Sequence, residues 1–113
     1  MTKSFKEITG DINTGLGAMA KAAPDVMQAF RGLSQAASKE GALDKKTKEL
    51  IAMSIAVAKR CEGCIGFHAQ TCVKLGVTEA EFMEVLGMAV YMGGGPSLMY
   101  AAEAVNAFKE FSA

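Results

Sequence analysis

The chain has 113 residues, 50% apolar and 21% charged, a globular balance that excludes a disordered polypeptide and suits a single domain over 1–113 with a core of its own. Twelve Lys and Arg offset twelve Asp and Glu, so no basic excess is available for nucleic-acid phosphates, and zero net charge leaves copies free to associate. No apolar run approaches the roughly 20 residues of a membrane span, and no charged segment followed by a long apolar one opens the chain as a secretory signal does; a cytoplasmic protein is expected.

β-Branched residues are sparse while Ala, Met, Leu, Glu and Lys abound, which predicts an all-α fold. Six helices with short connections are expected. The first covers about residues 3–20, with Phe5, Ile8, Ile12, Leu16 and Met19 at three- and four-residue steps, although Gly10, Gly15 and Gly17 weaken it. Pro24 suits the first turn of the second, where Met27, Phe30, Leu33 and Ala37 share a face, and Gly41 closes that region. Asp44 caps a third helix that runs through Lys59. Its middle, Leu50 to Ala58, is apolar nearly all round, which places it centrally or against another copy.

The fourth helix starts near Cys61 and stops at Gly76, a glycine suited to a left-handed cap with Val77 as the apolar contact beyond it. Thr78-Glu79-Ala80-Glu81 is a capping box that starts the fifth, which carries Phe82, Val85, Leu86, Ala89 and Val90. Gly93-Gly94-Gly95-Pro96 then forms a tight turn. No strand precedes it, so it is not a phosphate loop. The sixth helix covers about 97–111, with Leu98, Ala101, Val105, Phe108 and Phe111 facing inward.

The chemistry concentrates in Cys61-x-x-Cys64-x-x-x-His68, two of the three cysteines and the only histidine. An odd number of cysteines without a leader is not a disulfide scaffold. Cys64 and His68 are one helical turn apart, and Cys61 lies in or just before the first turn. A thiol at a helix N-terminus meets unpaired N–H groups and the positive dipole end, both of which favour thiolate. An imidazole beside it can pass protons, and Lys59 and Arg60 add positive charge. Such a dithiol can be oxidised and re-reduced.

Other readings stand beside that one. Cys61, Cys64, His68 and Cys72 resemble zinc ligands, but Cys61 and Cys72 lie roughly 16 Å apart on a continuous helix, too far for one ion; three ligands with a carboxylate from elsewhere remain conceivable. The pair could be coincidental packing, or could perform thioredoxin-like exchange without the strands of thioredoxin. Neutral charge and the lack of a basic amphipathic face argue against membrane binding. Cys72 reads as a buried structural thiol rather than a third redox partner, and the eight methionines as core and interface filler. On the residues alone, Glu49 reads as a solvated helix residue or a partner of Lys45 or Lys46.

Three stretches carry a resemblance: Leu43 to Ile51 (LDKKTKELI), Arg60 to His68 (RCEGCIGFH) and Ala89 to Ala101 (AVYMGGGPSLMYA). In order and spacing, over about 43–111, the chain resembles the alkyl hydroperoxidase D-like family of the carboxymuconolactone decarboxylase superfamily. The resemblance implies an all-helical fold in an obligate homo-oligomer, a trimer or a hexamer built from dimers. It implies a dithiol peroxidase acting on hydrogen peroxide or organic hydroperoxides, with no cofactor and no metal. Cys64 would attack the peroxide, Cys61 would condense with the resulting sulfenic acid, and His68 with Glu49 would form the proton relay. A lipoyl or thioredoxin-like protein would supply the reducing thiol. A better-studied branch has a second histidine between the cysteines, where this chain has Gly63. The decarboxylase branch lacks the cysteine pair, so lactone decarboxylation is not the natural reading. A general thiol–disulfide oxidoreductase and a redox-sensing oligomeric module are the alternatives. The chemistry agrees, because O–O cleavage needs a thiolate nucleophile and a proton for the leaving oxygen, and a nearby second thiol traps the sulfenic acid before overoxidation.

Overall fold

Caps and helix stops in the sequence place the elements. A computed structural model describes residues 3–113. Among them the chain forms α1 (Phe5–Ala22), α2 (Pro24–Ser38), α3 (Lys45–Ala58), α4 (Glu62–Lys74), α5 (Glu79–Gly93) and α6 (Gly95–Ser112), with no strand. The expected all-α, six-helix fold is therefore present. No helix among the described residues is long and apolar enough to cross a membrane.

Ser4 caps α1, its hydroxyl accepting the Glu7 N–H at 3.2 Å. The far end of the chain completes that cap: the Glu110 carboxylate accepts from the Ser4 hydroxyl at 2.8 Å and from the N–H groups of Phe5 at 2.8 Å and Lys6 at 3.3 Å. Asp44 caps α3 through the Thr47 N–H at 2.7 Å, and Thr78 with Glu81 closes the expected capping box on α5. The Glu81 carboxylate also pairs with Lys46 at 2.9 Å, joining α5 to α3. α2 begins with Pro24, and its C-terminal carbonyls find a cation from elsewhere: Lys48 Nζ donates to Ala37 O at 3.1 Å and Lys39 O at 2.5 Å. That ammonium lies where the helix dipole is negative.

The core is shared by α1, α3, α4, α5 and α6. Phe5, Met53, Val57, Ile65, Cys72 and Phe82 are wholly enclosed in it, and Phe82 stacks on Phe108 with ring centroids 4.4 Å apart. α3 and α4 lie side by side, α3 also packs on α5, and α4 on α6. Gly76 stands at φ 78° and turns α4 into α5; the Val77 N–H returns to Cys72 O at 3.0 Å and Val77 itself is buried. The α5–α6 turn is tighter still. A side chain on Gly93 would stand 2.9 Å from Ser97 Cβ, and Gly94 adopts φ 83°, ψ −167°, backbone open essentially to glycine alone.

Two expectations need correction. α6 starts at Gly95, so Pro96 sits inside its first turn, where a missing N–H costs nothing. Leu98 does not face inward; it is 51% exposed, and Ser97 takes the inward position because it packs over Gly93. The shared face of α2 is real but uncovered: α2 has no buried residue, Phe30 and Leu33 stand out in solvent, and α2 touches only α1 and α3 among the described elements.

Candidate active site

The joint between α3 and α4 builds the site. α3 ends in a Schellman motif, with the Cys61 N–H bonded to Ala56 O and the Arg60 N–H to Val57 O, each at 3.0 Å. Such a motif needs a left-handed residue, and Arg60 supplies it at φ 57°, a position usually given to glycine. The residue that closes α3 in this way, Cys61, is at once the N-cap of α4. Its Sγ accepts the Cys64 N–H at 3.3 Å, the role a Ser or Asp oxygen takes at most helix starts.

Cys61 and Cys64 are joined as a disulfide, with Cα atoms 5.2 Å apart. Cys64 is exposed and Cys61 half-buried. α1 lies directly over this helix start. A Cβ on Gly63 would meet Ile12 Cδ1 at 2.5 Å, and one on Gly66 would meet Thr9 Cγ2 at 2.7 Å. Glu62, between the cysteines, is ion-paired to Lys3, which also reaches Glu103 of α6 at 3.0 Å. The Lys3 ammonium holds the Glu62 carboxyl below its ordinary pKa, so the added negative charge beside the sulfurs is neutralised.

His68 follows Cys64 by one turn, and its Nδ1 pairs with Glu49 Oε1. Glu49 reaches it because α3 and α4 run antiparallel from their joint, placing the start of one beside the later turns of the other. The Glu49 side chain is 12% exposed and that of His68 37%. With Nδ1–H donating to the carboxylate, Nε2 is left as the basic nitrogen of the ring. Glu49 is not a partner of Lys45 or Lys46: Lys46 pairs with Glu81 instead.

Two clefts flank His68. One, of about 420 Å³, is lined by Ala52, Ile55, Ala56, Lys59, Cys61, Cys64 and His68. The other, of about 290 Å³, lies on the Glu49 side, with Ser38, Lys48, Ala52 and Ile55 among its walls. Cys61, Cys64 and His68 thus meet in one cleft, and Glu49 stands behind His68. Sequence reasoning missed the α3 wall of that cleft. The signal was there: Ala52, Ile55, Ala56 and Lys59 recur at helical spacing on a segment with too many apolar faces to bury. Ile55 remains 50% exposed.

Cys72 takes no part in the cleft. It is fully enclosed, and burial, with the Glu49 charge adding, pushes its thiol up to about 12. It is a neutral packing group, in line with the structural reading. Among the described residues no three His, Cys, Asp or Glu side chains converge in a metal-holding arrangement.

Comparison with known proteins bears on this geometry. The sequence model of the Carboxymuconolactone decarboxylase family matches residues 24–107. An uncharacterized protein of Cupriavidus necator is 39% identical over 113 residues, the full length of both chains. A protein from the cox locus of Paracoccus denitrificans, also uncharacterized, is 33% identical over 87% of this chain and 88% of its own. The crystal structure of an apo carboxymuconolactone decarboxylase family protein from Legionella pneumophila superposes with a TM-score of 0.95 at 66% identity, covering 96% of this chain and 97% of that one. A Thermotoga maritima member of the same family, for which involvement in an antioxidative response has been suggested, superposes with a TM-score of 0.80 at 28% identity, over 90% and 87% of the two chains.

Proposed function

The chain belongs to the carboxymuconolactone decarboxylase family, and from that premise we propose that it is a dithiol peroxidase of the alkyl hydroperoxidase D-like kind. One observation carries the reading: an exposed Cys64, its disulfide partner Cys61 and a carboxylate-held His68 share a single cleft. In the reduced protein the Cys64 thiolate attacks the terminal oxygen of a hydroperoxide. The O–O bond breaks, an S–OH bond forms on Cys64, and the leaving alkoxide takes the proton that His68 Nε2 received when the Cys64 thiol ionised. Glu49 orients the ring through its contact with Nδ1. Cys61 then attacks the Cys64 sulfur, the S–S bond forms, and the hydroxide that leaves takes the proton given up by the Cys61 thiol and departs as water. The helix N-terminus favours the Cys61 thiolate that this second step needs. One hydroperoxide is thereby reduced to alcohol and water, and two thiols are oxidised. A lipoyl or thioredoxin-like protein returns the pair to dithiol by exchange.

The suggested antioxidative role of the Thermotoga maritima relative supports this reading. The uncovered apolar face of α2 supports the expected trimer or hexamer. A second reading, exchange with protein disulfides, draws on the position of Cys61 at a helix start, where thioredoxin-type nucleophiles gain their acidity. A redox-sensing module would change assembly without turnover.

Single-turnover peroxide consumption by pre-reduced protein, beside a Cys64→Ser variant, separates them. The expected result is fast loss of about one peroxide per chain, a Cys61–Cys64 bond by mass spectrometry and an inactive variant. Glu49→Gln should slow the same step by roughly 10²-fold. Slow loss with a variant close to wild type would overturn the peroxidase and favour exchange or sensing.

A further inference from the structure

The cleft beside the dithiol has more wall than a molecule the size of hydrogen peroxide would use. Ala52, Ile55 and Ala56 form one continuous apolar side, and Lys59 closes the same face one turn on. From Ala52 to Lys59 the wall is about 10 Å long. Lys59 is the only lysine or arginine in the lining, His68 there being held by Glu49; no carboxylate lines the cleft, and Lys59 makes no salt bridge among the described residues. Ile55, half exposed in a helix whose neighbours Ala56 and Val57 are buried, is left uncovered by the described residues.

We propose that this cleft is a seat for a hydroperoxide built on a hydrocarbon chain with a carboxylate end, the class of fatty-acid hydroperoxides. The chain lies along Ala52, Ile55 and Ala56, and the carboxylate pairs with Lys59. The peroxide group, carried along the chain, faces Cys64 and His68 on the opposite wall. The inference rests on the peroxidase reading for its chemistry and adds the substrate class to it. The carboxylate is a spectator: the O–O bond is cleaved by the Cys64 thiolate as above, the proton goes to the alkoxide, and the product is the corresponding hydroxy acid, with the dithiol oxidised. An apolar wall and an exposed cation fit such an amphiphile and give hydrogen peroxide nothing to hold.

Two measurements test the seat. The first compares kcat/KM for a linoleic acid hydroperoxide, its methyl ester and tert-butyl hydroperoxide. Wild type should prefer acid to ester by about threefold, as an exposed ion pair allows, and Lys59→Met should erase that ratio. Ile55→Ser should lower the ratio of either long-chain substrate to tert-butyl hydroperoxide by about tenfold. Equal ratios in wild type and both variants would overturn the proposal. The second measurement needs no turnover. Decanoate should bind the oxidised protein and bind more weakly to both variants. If wild type consumes no hydroperoxide, the peroxidase reading fails, and decanoate binding lost in Lys59→Met would still sustain the seat. No decanoate binding to wild type would sink the seat whatever the turnover.

Discussion

At the residue scale the three cysteines separate by surroundings rather than by type. Cys61 and Cys64 sit where backbone N–H groups and the helix dipole favour charge, while Cys72 sits where nothing does. In reduced, folded protein two thiols should react with an aromatic disulfide reagent at pH 8, and the third only in denaturant; three rapid equivalents in native buffer would contradict this. The Cys72 thiol also sets a stability trend. Its folded pKa is raised from 9.0 to about 12, so below about 9 both states hold the proton and nothing changes. Above it the unfolded chain ionises first. Stability should therefore fall as pH rises from about 9 towards 12, and Cys72→Ala should flatten that slope in denaturant titrations. The spacing of Cys61, Cys64 and His68 made these residues legible in the sequence. Glu49 was legible only through the family resemblance, because its partner lies on another helix and no local pattern reports how two helices pair.

At the element scale the local signals were reliable and the distant ones silent. Asp44, Gly76 and the Thr78 box start and stop helices where the sequence predicts, since each acts within a turn of its own position. Arg60 carries no such signal, because a left-handed arginine is set by the joint it completes rather than by its own preference. The cap that Glu110 places on α1 is likewise invisible, spanning the length of the chain. Glu110→Ala should destabilise the fold by about 1–2 kcal/mol. Burial alone would raise the Glu110 pKa, but the hydrogen bonds from Ser4, Phe5 and Lys6 outweigh it and hold it below its ordinary 4.5. That stabilisation is present above about pH 4.5 and should be lost as pH falls below it, as a thermal-melt series would show, with the variant lacking this part of the slope. Gly94→Ala should cost about 1–3 kcal/mol, read as a lower denaturation midpoint, because its φ of 83° and ψ of −167° are strained for any residue that carries a Cβ.

At the scale of the whole molecule α2 is the exception. The radius of gyration is 14.4 Å, against about 13 Å for a compact chain of this length, and α2 hangs on α1, α3 and the Lys48 contact. Val26, Phe30 and Leu33, each at least 60% exposed, form the largest apolar feature left in water on this helix. Phe30→Asp with Leu33→Asp should reduce the proposed trimer or hexamer to smaller species in sedimentation velocity while the helical circular dichroism of the remainder persists. A wild type that sediments as a monomer would overturn the assembly. The face of α2 was legible as a pattern, but a single chain's pattern cannot say whether the covering surface is its own.

The closeness of Ile12 to Gly63 has a consequence for anyone redesigning the redox centre. The two positions are 51 residues apart and share one volume. A methyl at 63 asks only that the end of Ile12 swing aside; a larger side chain asks for more of the same space. Libraries that vary position 63 alone should therefore return small residues, whereas paired variation of 12 and 63 should open the centre to new side chains. The first helix, far from the dithiol in sequence, is in effect the mould that limits what the dithiol can become.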